Sequence, residues 1–111
     1  MRAAIYIRVS TREQAHNLSL PTQLRACREY CERNDIEVAD VFEDAGESAK
    51  TTDRPEFQRL LAYCRTNKGR VQLVVVYNVT RFSRNTYDHS FVRTLLLRHG
   101  VTLRSVSEPT L

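Results

Sequence analysis

Two nearly continuous apolar runs, Ala3–Val9 and Val71–Tyr77, constrain the fold of this chain most strongly. A strand with one wet face alternates apolar and polar residues. A strand covered on both faces has no reason to alternate, and unbroken runs of this kind belong to the centre of a parallel sheet. Weaker strand patterns occur at Ile36–Phe42 and Val101–Val106.

Helical patterns separate these strands. The first opens at Ser19 and Pro21 and spaces Leu20, Leu24, Cys27, Tyr30 and Cys31 along one face. The second begins at "TDRPEF", where Asp53 and Glu56 resemble a capping pair, runs through Phe57, Leu60, Leu61 and Cys64, and stops near Gly69. The third carries Phe91, Val92, Leu95 and Leu96 and stops at Gly100. Strands alternating with helices predict an α/β domain: a mostly parallel sheet of about four strands between flanking helices, in three layers. The longest irregular stretch is expected at residues 43–53, "EDAGESAKTTD".

At 111 residues and 41% hydrophobic content the chain makes one domain with a core of its own. No apolar run approaches the roughly 20 residues of a membrane span, and the first 20 residues lack a signal-peptide core, so a cytoplasmic protein is expected. Cys27, Cys31 and Cys64 are odd in number and match no metal knuckle, which predicts reduced core thiols. The net charge of +4 is carried by 15 arginines and only two lysines, Lys50 and Lys68. Arginine presents a planar fork that matches phosphate oxygens, so composition leaves two readings, a phosphate-bearing partner and a merely solvated basic surface.

Ligands of open α/β sheets gather at the carboxyl ends of the strands. The first strand ends in Arg8-Val9-Ser10, whose period of two puts Arg8 and Ser10 on one face. The third runs into "NVTRFSRN", where Arg81 and Arg84 share a face if a helical turn begins there. A serine among arginines, with no acid or histidine beside it, does not suit Ser-His-Asp acyl transfer. It suits phosphoryl transfer, in which arginine forks hold the charge of the non-bridging oxygens; the alternative on pattern alone is that Arg8 and Arg81 cap strand ends and pair with carboxylates.

Other motifs compete less well. Cys27 to Arg33 has the C-x5-R spacing of tyrosine phosphatases, but its residues fall within a helix pattern and include no glycine. His16, His89 and His99 lack metal-ligand spacing and read as surface or helix-end residues. No GxxxxGK[ST] or GxGxxG occurs. A receiver-type signalling module would share the α/β alternation, but it needs acids where the first and third strands end here in arginines.

In order along the chain, "YIRVSTREQ", "SLPTQ", "DAGESAKTTDRPEF", "VVVYNVTRFSRN" and "GVTLRSVSE" closely resemble the catalytic domain of the serine recombinase (resolvase/invertase) family, from residue 2 to about 108. The longer insert before "SLPTQ" is most similar to large members such as phage integrases and transposon recombinases. The resemblance implies a resolvase-like fold and breakage and rejoining of double-stranded DNA without metal or nucleotide cofactor. It makes Ser10 the nucleophile of a 5′-phosphoserine intermediate and Arg8, Arg81 and Arg84 the grip on the scissile phosphate. Gln23, Asp44 and Arg54 match supporting positions, with Arg54 expected on phosphate and Asp44 expected to orient arginines. Thr80 stands where the family usually has Asp, and Ala49 replaces a common glycine.

The family acts as dimers and tetramers, in bacteria and phages. The whole of 1–111 reads as a catalytic domain ending at "SEPTL", with the assembly helix and DNA-binding domains expected beyond it and the isolated piece expected to be inactive. The alternative is a non-catalytic DNA-binding or oligomerisation module of a degenerate recombinase.

Overall fold

The computed structural model describes residues 1–9, 20–45, 55–77 and 93–107. The elements are β1 (Arg2–Val9), α1 (Leu20–Arg33), β2 (Glu37–Ala45), α2 (Pro55–Thr66), β3 (Leu73–Val76), a helical stretch at 93–98, and β4 (Thr102–Ser105). Among the described residues all strand pairings are parallel, and the strand order is β2-β1-β3-β4. The predicted α/β architecture is present, with β1 and β3 side by side at its centre.

The unbroken apolar runs are explained by burial on both faces. From β1, Ala3, Ile5 and Ile7 pack with Leu73, Val75, Cys27 and Cys31 beneath α1. Ala4 and Tyr6 point the other way and pack with Leu60, Cys64, Val74, Val76, Leu96 and Leu103 beneath α2 and the 93–98 helix. All three cysteines are free and buried, as their spacing predicts.

Strand β2 departs from simple alternation. The register steps from Ala3↔Val38 to Ala4↔Asp40, so Ala39 is an extra residue, a bulge. Val38 and Val41 consequently share the α1 face, while Ala39 and Phe42 share the α2 face. Without this bulge the period of two would send Asp44 to the α1 side. With it, Asp44 has the parity of Phe42 and lies on the same side of the sheet as Tyr6. The strand also runs three residues further than its apolar pattern. Glu43, Asp44 and Ala45 are paired in β2 opposite Ile7, Arg8 and Val9, so the irregular stretch expected from residue 43 begins later. The remainder of that stretch, with Asp53 of the expected capping pair, lies outside the described residues.

Two helices end in the same backbone device. At 93–98 the Val101 N–H donates to Leu96 O at 3.0 Å and the Gly100 N–H to Leu97 O at 3.0 Å, with Gly100 at φ 73°. This is a Schellman closure, and its apolar clasp is the buried pair Val101 and Leu96. In α1 the Ile36 N–H donates to Cys31 O and the Asp35 N–H to Glu32 O, so Asp35, at φ 55°, takes the position glycine usually fills. Aspartate is among the few residues that enter this left-handed region at modest cost.

A Cβ added at Gly100 would meet nothing within 4 Å, so its cost is purely conformational. Gly100→Ala is expected to lower stability by about 1 kcal/mol, seen as a lower urea midpoint at unchanged m-value.

Candidate functional site

Because every described strand is parallel, their carboxyl ends form one edge, and that edge holds the buried polar residues. Arg8, Gln23 and Asp44 are the buried polar or charged residues among those described, with Arg8 and Asp44 each 6% exposed and Gln23 fully buried. Each has a distinct local cause.

Asp44 holds three elements together. Its Oδ2 accepts the Tyr6 hydroxyl at 2.8 Å and the Phe57 N–H at 3.0 Å, and its Oδ1 accepts the Glu56 N–H at 3.2 Å. Pro55, which has no N–H to satisfy, opens α2. Asp44 therefore caps this helix from a neighbouring strand, supplying a negative charge where the first-turn amides and the helix dipole favour one.

Gln23 repairs a shortened strand. In β1 the even residues turn their N–H and C=O towards β3, as the Gln72 N–H bond to Arg2 O shows. The last β1 to β3 pair is Tyr6↔Val76, so Arg8 lies beyond the reach of β3. The Gln23 carboxamide takes its place. Nε2 donates to Arg8 O at 2.9 Å and Oε1 accepts the Arg8 N–H at 3.4 Å, the pair of bonds a neighbouring strand would have made.

The sequence-predicted set therefore divides. Arg8, Gln23 and Asp44 come together, with Arg8 and Asp44 opposite one another in register and Gln23 on the Arg8 backbone. Asp44, expected to orient arginines, spends the hydrogen bonds described here on Tyr6 and the α2 amides. Ser10, Arg54, Arg81, Arg84, Thr80 and Ala49 lie outside the described residues, as do His16 and His89. His99 follows the 93–98 helix, at a helix end as expected. Tyr6 was missed. Its signal was a single phenol in the run "AAIYIRV", since a buried tyrosine hydroxyl has to find a partner.

The decoys fall to position and chemistry. Cys27 and Arg33 lie within α1, with no loop between them to cradle a phosphate. Burial, and then the neighbouring Cys31, pushes the Cys27 thiol up to about 12. Burial alone takes Cys64 to about 11, and burial also raises Cys31 against the lowering effect of Arg28. These thiols are not nucleophiles at neutral pH. Among the described residues no cluster of three His, Cys, Asp or Glu side chains could hold a metal ion. Among them, too, no helix is long and apolar enough to cross a membrane.

Residues 3–110 match the family described as "Resolvase, N terminal domain". The chain belongs to the resolvase family of serine recombinases. A resolvase family site-specific recombinase from Streptococcus pneumoniae has a similar structure at a TM-score of 0.82 and 32% identity, over 96% of this chain and 72% of that one. The N-terminal catalytic domain of TP901-1 integrase is similar at a TM-score of 0.82 and 28% identity, over 96% and 77%. A Bacillus subtilis (strain 168) protein named "Putative DNA recombinase" is 31% identical over 101 residues. Those residues are 90% of this chain and 19% of that relative, so the resolvase domain here spans about a fifth of the curated protein it matches.

Removing the carboxylate strands a buried phenol and two amides together. Asp44→Ala is expected to cost roughly 3 kcal/mol and Tyr6→Phe about 1 kcal/mol, read by urea unfolding.

The thiols supply a pH test. Their folded values lie above the ordinary 9.0, so whatever stability they contribute is complete below pH 9 and is lost as pH rises towards 11 to 12. At pH 8, iodoacetamide should alkylate none of the three cysteines in the folded chain and all three in urea. Fast labelling of the folded chain would contradict the burial of these side chains.

Proposed function

We propose that this resolvase-family domain cuts and rejoins double-stranded DNA, with Ser10 as the nucleophile. The observation that supports the reading best is the strand edge itself. Arg8 is held there by its backbone, through Gln23, and lies opposite a carboxylate that is already committed to a helix cap. The chain continues from Arg8 through Val9 directly to Ser10.

In the proposed reaction the Ser10 Oγ loses its proton and attacks a backbone phosphorus. The Oγ–P bond forms as the P–O3′ bond breaks, and the departing 3′ oxygen takes up a proton. One phosphodiester is exchanged for another, so the energy of the broken bond is kept and rejoining is the same step reversed. Arg8, Arg81 and Arg84 hold the non-bridging oxygens as charge redistributes. Arg54 adds a further phosphate contact, while Gln23 and Asp44 fix the frame from which Arg8 projects. No cofactor takes part. The longer protein works as a dimer that pairs into a tetramer, one serine for each of four strands, and other parts of it read the base sequence.

Two measurements test this. Denaturing gels of the full-length recombinase with its crossover site should show protein joined to a 5′ DNA end, and Ser10→Ala should abolish that product. An adduct that persisted in the variant would move the nucleophile to Ser83 or Thr80. Cleavage should also survive excess EDTA, while Arg81→Lys or Arg84→Lys should slow it by a factor of order 10² to 10³, because one fork of donors is lost. A requirement for Mg²⁺ would contradict the arginine grip.

A further inference from the structure

The face of the domain built by α2 and the 93–98 helix carries a groove that the strand edge does not use. One wall is the stripe Gln58, Leu61, Ala62 and Arg65 of α2, spaced i, i+3, i+4 and i+7, and the other is Leu95 and His99. It is an open groove of about 360 Å³. The stripe from Gln58 to Arg65 spans about 10 Å along the helix, two turns. Because the first turn of α2 is capped by Asp44 and the helix runs back along the sheet, Arg65 and His99 lie towards the pole opposite Arg8.

The lining is chemically one-sided. Leu61 and Leu95 are half-buried and form an apolar floor, and Arg65 is exposed at the end of its helix beside His99. No carboxylate is among the described residues that line the groove. The ion pairs among the described residues join Arg2 to Glu37 and Arg59 to Glu56, so Arg65 is not neutralised by one.

From this complementarity we infer that the groove docks an acidic amphipathic helix of a partner protein. Two turns of such a helix would set an apolar ridge on Leu61, Ala62 and Leu95, with carboxylates flanking it at Arg65 and His99. Charge disfavours a basic partner, and a DNA backbone has no apolar ridge to cover the leucines. The described helices of a second copy do not fit either. The apolar residues of α1 (Leu20, Leu24, Cys27, Tyr30 and Cys31) are packed against the sheet. The exposed positions of α2 include Arg59 and Arg65, and the exposed Leu97 of the 93–98 helix lies between Arg93 and Arg98 in the chain, so either of those helices would bring like charge to the groove.

The test uses the 111-residue chain, ¹⁵N-labelled, and two synthetic helical peptides. Both carry leucines at i, i+3 and i+7; one is flanked by glutamates, the other by lysines in their place. The glutamate peptide should shift amide resonances of Gln58–Arg65 and Leu95–His99, and the lysine peptide should leave them unmoved. Arg65→Glu should weaken binding by about tenfold or more, whereas Arg65→Lys should stay within about threefold. Position 65 is exposed, and the dispersion of the free spectrum shows whether each variant is folded. Equal binding of both peptides, no shift at millimolar glutamate peptide, shifts centred elsewhere, or an unchanged affinity in Arg65→Glu would each overturn the inference. So would self-association of the chain through these same resonances.

Discussion

A buried carboxylate at the end of a strand carries more of this structure than its size suggests. Charge removed from water is tolerated only where donors replace the lost hydration. Asp44 meets that condition with a phenol from β1 and two amides from the start of α2. Each donor in turn depends on it, since a buried hydroxyl and the free amides of a first helical turn are costly if left unmet. One side chain thereby ties the central strand, its neighbour and the helix that crosses them, at the edge where Arg8 emerges. Gln23 does the complementary work on the other side of β1. It supplies the two hydrogen bonds that β3 is too short to give.

The groove between α2 and the 93–98 helix lies towards the far end of the same helix that Asp44 caps. The two regions divide the domain by chemistry. The strand edge gathers arginine and carboxylate under cover, whereas the groove leaves two leucines and a cation at the surface. Substitutions in one can therefore be read without disturbing the other, provided that α2 itself stays in place.

Much of this could be read from the chain in advance. Continuous apolar runs announce central strands because burial on both faces removes any reason to alternate, and β1 and β3 are such strands. Helix ends were legible where glycine follows the last apolar residue, as at Gly100. The same closure after α1 was hidden, because Asp35 stands where a glycine would have signalled it. The end of β2 was hidden for a different reason. Ala39 is small and leaves no mark as a bulge, yet it decides which face Asp44 occupies, and polar residues at a strand end look like the start of a loop. Arg8, Gln23 and Asp44 were legible as a set through the family resemblance. Their roles were not, because a carboxamide bonded to backbone and a helix capped from another strand are tertiary contacts that no local spacing encodes.

The central claim is that Asp44 ties the start of α2 to the sheet, and hydrogen exchange at two amides tests it most directly. First-turn amides of a helix normally exchange fast because they have no partner within the helix. In the native chain those of Glu56 and Phe57 should be protected, and in Asp44→Ala that protection should vanish while the amides of β1 and β3 keep theirs. Rapid exchange of Glu56 and Phe57 in the unmodified chain, or protection unchanged by the substitution, would contradict the account.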